Sequence, residues 1–176
     1  AELTAARVVN TYSEEDLARL IYRCGQEPRA RTIARRIVRG RPVESAARLA
    51  GLLAEVLGRR RGRKIHPATR TFQALRIEVN NELGNLVEGL AAATRLLAPA
   101  GRLVVISYHS LEDRAVKTFL ARESTRCICP PEIPVCVCEH QPTLDLVRRR
   151  VIRPSAQEVQ QNPRSRSAKM RVAQRH

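Results

Sequence analysis

At 176 residues the chain has room for one domain with its own core, or for two small pieces of domains. Thirty-two Lys and Arg against seventeen Asp and Glu leave a formal charge of +15, which points to an acidic polymer as partner and favours nucleic acid over a membrane surface. No apolar run nears the roughly 18 residues of a membrane span and no signal peptide opens the sequence, so a cytoplasmic protein without membrane contact is expected.

Residues 1–58 read as helical throughout. Ser13 followed by Glu14, Glu15 and Asp16 is an N-cap with an acidic first turn, and Leu17, Leu20, Ile21 and Cys24 mark one apolar face before Gly25. A second helix is expected from about Arg29 to Val38, stopped by Gly40. Its Ile33 and Ile37 face inward, while Arg31, Arg35, Arg36 and Arg39 crowd the outside with no acid on the same helix. That imbalance favours nucleic-acid contact over a merely solvated face. A third helix, from about Ser45 to Leu57, completes a small basic bundle.

Arg59, Arg60, Arg61, Arg63 and Lys64, interrupted by Gly62, form a loop suited to gripping phosphates, an element that positions a nucleic acid without reading its sequence. From His66-Pro67 a long helical region is expected to continue to about Leu97, with a bend near Gly84. Phe72, Leu75 and Val79 form its apolar stripe. His66, Arg70, Gln73, Arg76, Asn80 and Asn81 are not needed for packing, and most of them share one face by their spacing. Such a face can contact bases and phosphates, or dock another domain.

Arg102 to Ser107 is a short β-branched run entered through Pro99-Ala100-Gly101 and reads as a strand buried on both faces. Tyr108, His109 and Ser110 then fall at its carboxyl end, where open α/β sheets place their ligands. His109 and Ser110 are therefore the candidate catalytic pair. The structural alternative has Ser110 capping the helix that runs to Glu123, with Asp113 at its N3 position.

Cys127-Ile128-Cys129 and Cys136-Val137-Cys138 place four thiols within twelve residues. In a reducing compartment this favours metal over disulfides, and tetrahedral zinc on Cys127, Cys129, Cys136 and Cys138 is the natural candidate, although neither half has the usual CxxC spacing. The alternative is a Pro-rich loop whose cysteines are incidental. Leu144 to Ile152 reads as a strand ending at Pro154, Ser155 with Glu158 caps a short helix, and Asn162 to Val172 leads into a last basic strand. Nine basic residues from Arg148 onward face a single acid, Glu158, and make a second positive surface. Five aromatics are too few for a broad base-stacking platform.

Three stretches, 66–76 (HPATRTFQALR), 105–114 (VISYHSLEDR) and 162–169 (NPRSRSAK), together resemble the bacterial 16S rRNA (cytosine-N4)-methyltransferases called RsmH or MraW, in order and over essentially the whole chain. Tyr108, where that family usually has Phe, and Met170, where it often has Leu, are mild departures. The resemblance implies an α/β fold: a helical substrate-recognition bundle over residues 1–65, then the C-terminal half of a class I, Rossmann-like methyltransferase sheet over 66–176, with a Cys-rich loop at 124–142. It implies S-adenosylmethionine as methyl donor and 16S rRNA in the small ribosomal subunit as partner. It places His66, Arg70, Gln73, Arg76, Asn80, Arg164 and Arg166 on the substrate side.

The family's amino-terminal strands, Gly-rich turn and acidic cofactor-binding residues have no counterpart in this sequence, so none of its residues is expected to bind the cofactor. The chain alone is therefore expected to be an inactive truncated form, with a bare edge on its apolar sheet that invites aggregation, a homodimer or a separate N-terminal half. Two other readings stay open: a non-catalytic RNA-binding remnant, and a zinc-containing interaction module.

Overall fold

The structure is a computed structural model that describes residues 2–58, 68–130, 132–133 and 135–176. The arginine-rich loop of Arg59, Arg60, Arg61, Arg63 and Lys64, and His66 beyond it, lie outside the described residues. The chain divides into two compact units, Ala1–Glu82 and Leu83–His176.

Among the described residues the first unit has helices and no strand: α1 (Ala5–Thr11), α2 (Glu14–Gly25), α3 (Ala30–Arg39), α4 (Ala46–Leu57) and α5 (Thr69–Val79). Short polar residues start α1, α2 and α4 as their chemistry dictates. The side chains of Thr4, Ser13 and Ser45 accept the backbone N–H groups of Arg7, Asp16 and Arg48. The apolar stripes meet in one core in which Val8, Leu17, Ile21, Ile33, Ile37, Leu52 and Leu53 are fully buried, each withdrawal from water contributing about 2 kcal/mol. Where α2 meets α5 the backbones touch: a Cβ on Gly25 would stand 2.6 Å from the Arg70 carbonyl oxygen. Helix α5 therefore packs with the bundle, and the compact boundary falls at 82/83 instead of the 65/66 expected from the sequence.

The continuous helix expected from 66 to 97 is two helices. Asn81 adopts a left-handed φ of 47°, a conformation asparagine tolerates better than most residues, and α6 (Glu82–Leu96) starts anew after it. Gly84, the expected bend, lies inside α6.

In the second unit α6 is followed by β1 (Arg102–Ser107), α7 (Ser110–Glu123), β2 (Leu144–Leu146), α8 (Ala156–Gln161), a 3-10 turn at Pro163–Ser167 and β3 (Lys169–Arg175). The sheet order is β1-β3-β2, antiparallel throughout, with Val104 opposite Val172 and Leu146 opposite Ala173. The last strand is thus the central one. It starts later than the sequence suggested because Pro163 favours the tight turn. The strand expected over 144–152 shrinks to β2 and a single bridge from Ile152 to Met170.

The expectation that β1 is buried on both faces is not met among the described residues. Leu103 and Val105 join Leu90, Val116, Leu120 and Leu144 in the core, while Val104 and Ile106 on the other face are 51% and 54% exposed. A β-branched run suits either environment, so composition alone did not reveal the open face. Near the chain's end Arg175 ties β3 to the end of α6. The Arg175 guanidinium donates to the carbonyl oxygens of Arg95, at 2.8 Å, and Leu97, placing a positive charge at the C-terminal end of α6 where the helix dipole favours it.

Candidate functional site

The polar face of α5 is partly committed within the first unit. Arg70 lies 3.4 Å from Glu27 Oε2, and Glu27 is itself nearly buried and accepts the Arg29 backbone N–H at 3.1 Å. Arg76 forks onto Glu82 through Nε (2.7 Å) and an Nη (3.0 Å), and Asn80 Nδ2 donates to the same carboxylate at 3.3 Å. Gln73 is half-buried. The structure thus brings Arg76 and Asn80 together on one acid and directs Arg70 to another. Both acids went unremarked in the sequence because neither lies at helical spacing from its partner.

Arg76 and Asn80 also line a mostly apolar cleft of about 390 Å³ with Val9, Val43, Leu49 and Phe72. A second cleft, about 500 Å³, is lined by Arg19, Tyr22, Arg29 and Arg31. Tyr22 is 63% exposed there, and its place off the apolar stripe of α2 was the one signal the sequence offered for it. The basic face of α3 is less unbalanced than it reads. Arg35 reaches Glu14 at 3.3 Å and Arg36 donates to Glu55 at 2.7 Å, so the compensating acids sit on neighbouring helices.

In the second unit His109, not Ser110, caps α7. His109 Nδ1 accepts the Glu112 N–H at 3.3 Å, and Glu112 Oε2 accepts the backbone N–H groups of Tyr108 (2.9 Å) and His109 (3.3 Å). Glu112 therefore holds the N3 position expected of Asp113. With Nδ1 accepting, the neutral ring carries its proton on Nε2. That nitrogen is buried and 3.2 Å from Glu112 Oε1, yet it makes no hydrogen bond among the described residues. Ser110 is the first residue of the helix and half-buried. Asp113 instead faces β3, accepting from Arg171 Nε at 2.8 Å with Lys169 Nζ at 3.6 Å. Burial pushes the Asp113 carboxyl up, but the hydrogen bond and charge of Arg171, with Lys169 beside it, hold it below the ordinary carboxylate value. Arg164 and Arg166 project from the 3-10 turn on either side of buried Ser165 and are exposed.

The four cysteines converge. Their Sγ atoms all lie within 4.8 Å of one another. The Ile128 and His140 backbone N–H groups lower Cys138 to about 6. Against the Cys129 backbone N–H, which favours the thiolate, hydrogen bonds with the Cys136 and Cys129 side chains push Cys127 up to about 12.

A model of the MraW methylase family matches residues 1–176. The chain belongs to that family. It is 58% identical to the ribosomal RNA small subunit methyltransferase H of Dehalococcoides mccartyi, over 99% of this chain and 50% of that protein. It is 58% identical to the one of Thermomicrobium roseum (97% and 53%) and 47% to the one of Carboxydothermus hydrogenoformans (98% and 56%). The chain spans about half the length of the curated relatives it matches.

A methylase family implies S-adenosylmethionine, and the described residues do not fit it. No glycine follows a strand among them, and the tight strand-to-helix turn after β1 is closed by the His109–Glu112 capping box, which occupies the helix N-terminus that would receive an anionic group. No helix among the described residues is long and apolar enough to cross a membrane.

Proposed function

We propose that this chain supplies the substrate-holding part of an S-adenosylmethionine-dependent enzyme that methylates the exocyclic N4 of a cytidine in 16S rRNA, in the cytoplasm. The observation that carries the reading is the match over nearly the whole chain to proteins named for small-subunit rRNA methylation. An exocyclic amine conjugated into a pyrimidine is a poor nucleophile, so the enzyme's task is chiefly to turn the base out and hold its nitrogen in line with the methyl group. Arg164 and Arg166, both exposed, take backbone phosphates, as do Arg70 and Arg76 once RNA competes with Glu27 and Glu82. The buried Nε2 of His109, 3.2 Å from Glu112 Oε1 but without a hydrogen bond there, orients the base with Ser110 beside it. The open face of Val104 and Ile106 and the outer edge of β1 lie against the rest of a class I methyltransferase sheet. The donor's cradle belongs to the part of the relatives' length that this chain does not span.

The capping box that closes the turn after β1 favours a second reading, in which these residues bind RNA and do no chemistry. Titrating S-adenosylmethionine into the purified chain should give no heat of binding, while small ribosomal subunits bind it. Expressed from the longest reading frame that contains these residues, the protein should transfer a methyl group to N4 of a single cytidine, located by mass mapping of 16S rRNA. Methylation of another base, or no transfer from such a product, would overturn the methyltransferase reading.

A further inference from the structure

Between the end of α7 at Glu123 and the start of β2 at Leu144 the described residues form neither helix nor strand. A loop of that length needs something to hold it. Apolar burial does not serve, because Val135 and Val137 are each 70% exposed and Ile128 40%. What the loop encloses is sulfur. A tetrahedron of thiolates around zinc, with Zn–S of about 2.3 Å, has edges of about 3.8 Å. Cys136 and Cys138 are already 3.5 Å apart, and the widest separation permitted by the 4.8 Å limit exceeds that edge by only about 1 Å.

The backbone around the sulfurs is arranged as a ligand shell. The Ile128 N–H, in the middle of the first CxC, donates to Cys138 at 3.5 Å, and the Val137 N–H, in the middle of the second, donates to Cys129 at 3.4 Å. Each pair thus braces the far cysteine of the other. Glu139, directly after Cys138, takes a left-handed φ of 49°, a conformation non-glycine residues seldom adopt, and the next backbone N–H, that of His140, hydrogen-bonds Cys138. Outer hydrogen bonds of this kind orient ligands and stabilise thiolates. The loop's return is tied to α7 from outside: His140 Nε2 lies 2.9 Å from the Arg122 carbonyl oxygen, and Thr143 donates to Glu123 through both its N–H (2.8 Å) and its hydroxyl (2.7 Å). With that imidazole nitrogen engaged, the donor set is four sulfurs.

We propose that Cys127, Cys129, Cys136 and Cys138 bind one thiophilic divalent cation, zinc, in a tetrahedral structural site that fixes the loop against the end of α7. The site stands independently of the rRNA reading, because its readouts need neither RNA nor methyl donor. Chain purified with reductant and zinc, then desalted, should carry one zinc by elemental analysis. Cobalt in its place should show the intense visible bands of tetrahedral thiolate coordination. Cys127→Ser and Cys136→Ser should each abolish that spectrum, and Cys24→Ala should leave it unchanged. Should the serine variants misfold, the wild-type chain still decides: zinc should slow cleavage by a glutamate-specific protease after Glu132 and Glu139 by about tenfold or more, and a chelator should reverse it. A chain that stays metal-free in excess zinc, a six-coordinate cobalt spectrum, protease cleavage indifferent to zinc, or a Cys127–Cys138 segment found as a disulfide despite reductant would each overturn the proposal.

Discussion

Asp113 Oδ1 accepts a 2.8 Å hydrogen bond from Arg171 Nε, and this pair, only 17% and 13% exposed, joins the first turn of α7 to the central strand β3. The folded state lowers the Asp113 pKa, so its contribution is complete above the unfolded value of about 3.9 and disappears as pH falls through the folded one. Asp113→Asn should lower unfolding free energy by about 2 kcal/mol at pH 7. In urea titrations at pH 7, 5 and 3 the gap between wild type and variant should hold at the first two and narrow at the third. A constant gap would mean that the carboxylate's charge is irrelevant.

His109 caps α7 and is proposed to orient the base, and two substitutions divide the cap from the proposed role. His109→Ala removes the cap of α7 and should cost about 1 kcal/mol of stability. His109→Asn keeps a side chain that caps and should restore most of that loss, but it lacks the Nε2–H. If base orientation rests on that proton, methylation of 16S rRNA by the longest gene product should stay impaired in His109→Asn. Equal recovery of stability and activity would reduce His109 to a cap.

Arg164→Ala and Arg166→Ala should leave the melting temperature nearly unchanged, since exposed substitutions usually shift stability by less than about 0.5 kcal/mol. Each should weaken binding to small ribosomal subunits and reduce the salt dependence of log K by about one unit of slope. Arg70→Ala and Arg76→Ala should differ by also strengthening the repulsion left around Glu27 and Glu82. Filter binding at several salt concentrations, read beside thermal melts, distinguishes the two classes.

Gly25→Ala should destabilise the first unit by about 2 kcal/mol or more, because the new methyl meets the Arg70 carbonyl oxygen at 2.6 Å and backbone cannot yield as a side chain can. Helix-rich circular dichroism followed through thermal unfolding is the measurement. A neutral result would show that α2 and α5 can move apart without loss.

The sequence was most legible where one local rule decides. Ser13 and Ser155 cap the helices assigned to them, and Leu17, Ile21, Ile33 and Ile37 are buried as their spacing requires. It was least legible where the answer depends on a partner far along the chain. Nothing near Arg102–Ser107 announces that β3 pairs with one edge while Val104 and Ile106 stay open. Nor does anything near Arg70 or Arg36 name Glu27 or Glu55. At the start of α7, Ser110 and His109 compete for the cap by residue type. Ser110 has the better propensity, but Glu112 stands three residues after His109 and closes the box from both sides.

The strand order β1-β3-β2 also dictates a schedule for biosynthesis. Among the described strands, β1 and β2 gain a neighbour only when residues 169–175 emerge from the ribosome, so the inner edge of the apolar segment 102–107 stays unpaired through translation of everything between. Nascent chains in that interval expose a sticky strand, which makes this unit a natural client for a chaperone and makes its yield sensitive to any pause in elongation before codon 169.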